Sequence, residues 1–432
     1  MAAARLAKAG AVSGSFAACY GDSRSDETPP LPGTGREIPD LAPLDSLMAQ
    51  FFADHHPPGG SLAVAYHGRL VYARGFGWAD VETKSLVEPT SLFRIASVSK
   101  PLTAVATLQL IERKKLAFED RVMEVLKLTP PDDSGVPFDE RWRSITIRQL
   151  LQHTAGWDRE ATFDPIALPA RIAETLKRPF PIMPRDLVDF MLRNPLQFDP
   201  GSRFAYSNFG YVLLGSVIET LAGEPYESCV KTNVLRPLGI SRMRLGRALR
   251  DEAASGEVRY YDSENRTGPA VIGPRFGETV PLQYGAENFD AFAAHGGWIA
   301  SAVDLVRFAT AFDEPSKGKL LSPDMVAEMI RRPDGAPGLD PTGRPADAYS
   351  GCGWNVRPAG QSENLWHTGL VAGTSAILVR RHDGINWAVL FNTNAGKNKR
   401  PLAGLIDGLV HRAVDAVRNW PDDDLFTSLL NS

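Results

Sequence analysis

Ser61-Leu62-Ala63-Val64-Ala65-Tyr66-His67-Gly68-Arg69-Leu70-Val71-Tyr72-Ala73 is the stretch on which the reading of this chain turns. Two apolar runs flank a short polar break that contains glycine, which predicts a β-hairpin. A second hairpin is predicted near the other end, where Ser375 to Val379 and Trp387 to Phe391 surround Asp383-Gly384. Between the two hairpins the periodicity turns helical. Pro101 to Glu112 predicts a helix that is apolar on most faces and therefore buried. Thr146 can N-cap a short helix that ends before Gly156. Tyr211, Leu214, Val217, Ile218 and Leu221 form a stripe that stops at Gly223. Leu44 to Asp54 and Gly404 to Val417 predict further helices near the two ends, and Asp158 to Pro184 and Arg259 to Phe289 read as long loops. The economical architecture is α/β (α+β): an antiparallel β-sheet built from both ends of the chain, flanked by helices, with a mainly helical subdomain inserted.

The chain has 432 residues, with 47 Lys+Arg against 51 Asp+Glu and a formal charge of -4. That balance gives no electrostatic reason to expect a nucleic-acid partner. With 43% apolar and 23% charged residues, the composition is that of an ordinary globular protein. After residue 40 no apolar run reaches the roughly 18 residues needed to span a bilayer. Three cysteines, Cys19, Cys229 and Cys352, fit neither a disulfide framework nor a zinc module. Residues 1–40 read as a leader and linker, and residues 41–432 as one body. Phe16-Ala17-Ala18-Cys19 resembles the end of a bacterial lipoprotein signal, which would place the protein in the cell envelope. A cytoplasmic chain with a solvated leader is the alternative. Oligomeric state is left open.

The candidate nucleophile lies in Phe93-Arg94-Ile95-Ala96-Ser97-Val98-Ser99-Lys100, directly before the buried helix. A helix beginning near Ser97 would set Ser97 and Lys100 about one turn apart. A serine hydroxyl needs a neighbouring base, and a lysine serves if burial lowers its pKa. Bringing that amine to about pKa 7 costs roughly 4–5 kcal/mol, which a large fold can supply. On spacing alone the ordinary reading is a helix-start serine beside a solvated lysine. The same SxxK spacing recurs at Ser228/Lys231 and Ser316/Lys319, on a surface helix and in a polar loop.

Two further segments change the weighing. Tyr206-Ser207-Asn208 opens another apolar helix, where a phenol can relay protons and Asn208 can fix the lysine or a substrate amide. Trp366-His367-Thr368-Gly369 leads into a strand. There His367 and Thr368 can bind a substrate carboxylate, Gly369 can let substrate approach, and the Leu370 N–H can serve as an oxyanion donor. Among the other histidines, His153 reads as packing beneath the site and His295 as bordering the cleft without a role. No metal-ligand pattern and no GxSxG elbow occur, so neither metal nor cofactor is expected.

In this order and combination, the three segments resemble the SxxK, YxN and K/HTG motifs of the serine β-lactamase and DD-peptidase superfamily, most closely its class C β-lactamase-like branch. Leu150-Leu151-Gln152-His153-Thr154-Ala155-Gly156, Pro200-Gly201 through Tyr211, Arg236-Pro237-Leu238-Gly239 and Gly296-Gly297-Trp298-Ile299-Ala300-Ser301 have counterparts there too, so the resemblance covers roughly residues 44–415. It implies a β-lactamase/transpeptidase-like fold. It also implies an acyl-enzyme at Ser97, with Lys100 as base and Tyr206 as proton shuttle. Asn208 and His367-Thr368-Gly369 would position substrate, and the N–H groups of Ser97 and Leu370 would form the oxyanion hole. Substrate would be a D-amino-acid peptide, a β-lactam or a small ester. His367 departs from the lysine of class C β-lactamases, which tells against efficient β-lactam hydrolysis. A carboxylesterase or acyltransferase of the same fold is one alternative, and a non-catalytic peptidoglycan-peptide binder another.

Overall fold

Strands from the two ends of the chain meet in the middle of one sheet. The computed structural model describes residues 31–132 and 135–429. Eight antiparallel strands run in the order Gly33–Thr34, Arg69–Asp80, Gly59–Tyr66, Ile385–Phe391, Thr374–Arg380, Ser362–Val371, Asn355–Ala359 and Tyr349–Ser350. Ser85–Leu86 adds a short ninth beside Arg69–Asp80. The joint between the ends is the pairing of Leu62 with Val389 and of Val64 with Trp387. Both predicted hairpins form. His67 and Gly68 take positive φ values of 48° and 79° at the first turn, the backbone that a tight two-residue connection requires.

Strand alternation sorts the side chains into two cores. Leu62, Val64, Ile377, Val379, Trp387 and Val389 face one way, against helices Ala42–His55 and Leu402–Asp415. Ala63, Ala65, Ala376, Leu378, Ala388 and Leu390 face the other way, toward helix Ala302–Ala309 and the inserted helical region. The alanines on that second face leave room for a helix to lie close. Each fully buried Leu, Ile or Phe contributes about 1.5–3 kcal/mol.

The inserted region holds the predicted helices. Lys100–Glu112 is buried on nearly every face. Ile147–Leu151 is capped by Thr146 in a reciprocal box with Gln149. Asn208–Ala222 ends at Gly223, whose φ of 72° closes the helix. Two expectations need correction. The segment read as a loop from 158 to 184 contains helix Pro169–Leu176, and the segment from 259 to 289 contains a ribbon of Thr267–Pro269 with Thr279–Pro281. The body also begins before residue 41, because Gly33–Thr34 pairs with Gly75–Phe76 and Ile38 is buried. The leader with Cys19 lies outside the described residues. Among the described residues no helix is long and apolar enough to cross a membrane.

Ile406 is fully buried between the closing helix and the sheet. Ile406→Ala is expected to lower unfolding free energy by about 2–5 kcal/mol. A denaturant titration reads that loss.

Candidate active site

The segment of the candidate nucleophile is held between two strands. Phe93–Arg94 pairs with Trp298–Ala300, and the Ile95 N–H donates to the Trp298 carbonyl at 3.0 Å. Ala96 then takes a left-handed φ of 45°, which is unfavourable by about 1–2 kcal/mol for a residue with a Cβ. This kink brings Ser97 into a short 3-10 turn, Ala96–Ser99, from which helix Lys100–Glu112 continues. Strand Ser362–Val371 crosses so near that a Cβ on Gly369 would overlap the Ile95 carbonyl oxygen. Gly369 thus has a reason to be glycine that sequence reasoning missed. It makes room for the backbone that carries Ser97.

Arg94, beside the Ser97 segment, ties distant segments together. Its buried guanidinium donates to the carbonyl oxygens of Gln283 at 2.7 Å and Arg247 at 2.6 Å. It lies 4.4 Å from the Tyr260 ring centroid and 4.3 Å from that of Phe289.

Lys100 is fully buried and has three partners. Its Nζ lies 2.7 Å from the His295 carbonyl oxygen, 2.8 Å from Asn208 Oδ1 and 3.0 Å from Ser97 Oγ. Burial drives its pKa well below the usual lysine range; Asp164 opposes that shift and Arg159 adds to it. A neutral amine has two N–H bonds and one lone pair. The two carbonyl oxygens can only accept, so they take the N–H bonds. The lone pair is left facing the Ser97 hydroxyl. On the other side the Tyr206 phenol donates to Ser97 Oγ at 2.7 Å. Burial pushes the Tyr206 pKa up, so the group is a neutral phenol.

Supporting contacts fix these groups. The His153 ring lies 4.5 Å from that of Tyr206, and His153 Nδ1 accepts the Ser207 N–H at 3.2 Å. Burial lowers the His153 pKa well below the ordinary histidine value. Asn208 Nδ2 donates to Asp164 Oδ2 at 2.7 Å. Arg159 lies over the Tyr206 ring, 4.8 Å from its centroid, with its Nη1 3.8 Å from Asp164. Burial raises the Asp164 pKa, against the opposing effects of Asn208, the Ile166 N–H and Arg159.

The HTG segment has one free edge. Strand Asn355–Ala359 pairs with Ser362–Val371 only as far as Trp366, so among the described residues no strand pairs with residues 367–371 on that side. On the other side Val371 and Thr374 close a two-residue loop, with Gly373 at φ 79°. A turn of that kind bonds its end residues, and pairing alternates from there. The Leu370 N–H therefore points to the free edge, and Thr368 and Leu370 are exposed. His367 differs from expectation. It is buried, its Nδ1 pairs with the Thr368 carbonyl at 2.7 Å, and burial lowers its pKa to about 3, with Lys100 adding to the shift. A neutral imidazole occupied in this way supplies no cation for a carboxylate.

Ser97, Arg159, Asp164, Asn208, Glu287, His295 and Leu370 line one cavity of about 230 Å³. Sequence reasoning assigned no role to Arg159, Asp164 or the His295 carbonyl. The alternative SxxK pairs separate from the site: Lys231 is paired with Glu227 at 2.6 Å, and Ser316 and Lys319 are both exposed. No cluster of His, Cys, Asp or Glu suited to a metal occurs among the described residues.

A family model described as Beta-lactamase matches residues 44–410. Penicillin-binding protein 4* of Bacillus subtilis is 28% identical over 351 residues, 78% of this chain and 68% of its own length. Esterase EstB of Burkholderia gladioli is 30% identical over 316 residues, 69% of this chain and 71% of its own. The solved structure of D-amino acid amidase from Ochrobactrum anthropi superposes with a TM-score of 0.63 at 22% identity. It covers 88% of this chain and 97% of that one, and shows that the fold is shared.

Gly369→Ala is expected to push the strand away from Ile95 and displace Ser97. Labelling of Ser97 by a fluorophosphonate should slow by at least about 10-fold, because small misplacements of reacting groups are that costly. Circular dichroism should show the fold retained.

Proposed function

The chain belongs to the beta-lactamase family, and from that premise we propose that it is a serine acyl-transfer hydrolase in which Ser97 is acylated, Lys100 is the base and Tyr206 the proton shuttle. The observation that carries this reading is the bonding of Lys100 Nζ. Two carbonyl acceptors and one hydroxyl surround an amine whose pKa burial drives well below the usual lysine range.

In the first half-reaction Ser97 Oγ attacks the substrate carbonyl carbon, and its proton passes to the Lys100 lone pair. Negative charge grows on the carbonyl oxygen, which the N–H groups of Ser97 and Leu370 can receive. The Tyr206 phenol, in contact with the attacking oxygen, gives its proton to the leaving group as the tetrahedral intermediate collapses. The ammonium formed on Lys100 restores the phenol. Water repeats the sequence in reverse and releases the acyl group.

Substrate is an ester, an amide or a lactam with an extended portion that pairs with the free edge at residues 367–371. The neutral His367 favours substrates that present an uncharged group there. The relatives span both sides of this choice by name, one a penicillin-binding protein and one an esterase. A parallel assay of p-nitrophenyl butyrate, a D-amino acid amide and nitrocefin separates the classes. The ester and the amide are expected to exceed nitrocefin in kcat/KM.

A fluorophosphonate should add covalently to Ser97, read by mass spectrometry of the labelled peptide, and Ser97→Ala should show no adduct. Wild-type protein without an adduct would leave only a binding role. Lys100→Ala and Tyr206→Phe should each lower kcat by about 10²–10⁴, the scale of acid–base assistance. The acid limb of kcat/KM should lie below the ordinary lysine pKa, since the active form is the neutral amine and activity rises as the proton leaves.

A further inference from the structure

We propose that Asp164 is a positioning residue for the base: its carboxylate fixes the Asn208 side chain so that the amide oxygen, and not the amide nitrogen, faces Lys100. The inference rests on the reading of Lys100 as the base. The two ends of an asparagine amide have nearly the same shape and opposite polarity, so shape cannot choose between them. Were Asn208 turned over, its NH₂ group would point at Lys100. It could then donate to the amine lone pair and draw that lone pair away from Ser97. A carboxylate removes the choice, because an ionised carboxylate only accepts. Asp164 Oδ2 stands 2.7 Å from Asn208 Nδ2, and Asn208 Oδ1 stands 2.8 Å from Lys100 Nζ.

The carboxylate is itself held. It caps the short turn Pro165–Ala167 through the Ile166 N–H at 3.4 Å, and it lies 3.8 Å from Arg159 Nη1. Its side chain is only 15% exposed. A chain therefore runs from Arg159 through Asp164 and Asn208 to Lys100 and Ser97. Asp164 touches neither the lysine nor the nucleophile by hydrogen bond, and acts through Asn208.

The test is a set of variants assayed across pH. Titratable or charged groups around Lys100 are Asp164 and Arg159 from the inserted segment, His153, Tyr206 and Tyr211 from the helical side, His295 from the cleft and His367 from the strand. The three histidines are held neutral by burial, so the charges that act on Lys100 are those of Asp164 and Arg159. Asp164→Asn removes the negative charge that favours the ammonium. The acid limb of kcat/KM should then move to lower pH, by roughly half to one unit. At the optimum, kcat/KM should fall by about 10-fold to 100-fold, as when the outer partner of a functional group is lost.

Asp164→Glu keeps the charge and the acceptor and should restore both limb and rate in part. In an Asn208→Ala background, Asp164→Asn should lower the rate by less than about 3-fold further, since the pair acts as one unit. An Asp164→Asn protein with the wild-type rate and limb would overturn the proposal. So would a loss that multiplies in full upon Asn208→Ala. If Asp164→Asn does not fold, Asp164→Ser in the same cycle separates the same two outcomes. A wild-type protein that forms no Ser97 adduct would fail at the underlying reading. An adduct with an unchanged Asp164→Asn profile would remove the role of Asp164 alone.

Discussion

A single buried amine organises the centre of this protein. Lys100 Nζ is enclosed by the His295 carbonyl, the Asn208 amide oxygen and the Ser97 hydroxyl, each from a different part of the chain. An ammonium placed there would lose its hydration for three uncharged partners, none of which bears a negative charge. Burial therefore favours the amine, and an amine with both hydrogens occupied has a lone pair with only one place to go. The chemistry follows from counting donors and acceptors.

The fold exists to keep those partners in register. Joining the chain ends through Gly59–Tyr66 and Ile385–Phe391 fixes the sheet, and strand Ser362–Val371 lies two strands from that joint. The left-handed turn at Ala96 and the bare backbone at Gly369 fit each other, so Ser97 and the edge that carries Leu370 are set by one contact. The small residues on the inner sheet face bring helix Ala302–Ala309 close. The strand Trp298–Ala300 that precedes this helix pairs with Phe93–Arg94, just ahead of Ser97.

Much of this was legible in the sequence, and the parts that were not share a cause. Ser97, Lys100, Tyr206 and Asn208 stand in short motifs at helix starts, where local spacing already brings side chains together. The hairpins and the Thr146 cap were equally local. The carbonyl of His295 was invisible, because every residue carries one and only the fold decides which is aimed. Asp164 drew no reading, because its bond to Asn208 spans 44 positions and no local pattern announces it. The charge state of His367 depends on burial, which pattern does not report. Helix Pro169–Leu176 did carry a signal, a proline at its first position, inside a segment read as loop. The Gly33–Thr34 strand is too short to show a period.

Arg94 ties two segments together through the main-chain oxygens of Gln283 and Arg247 rather than through their side chains. Such an anchor is indifferent to which amino acids occupy those two positions. Descendants of this protein can therefore change the side chains at those two positions without loosening the attachment. Insertions or deletions would have to preserve the path that delivers two oxygens to one guanidinium. Evolvability of these two segments is thus confined by geometry and left open in composition.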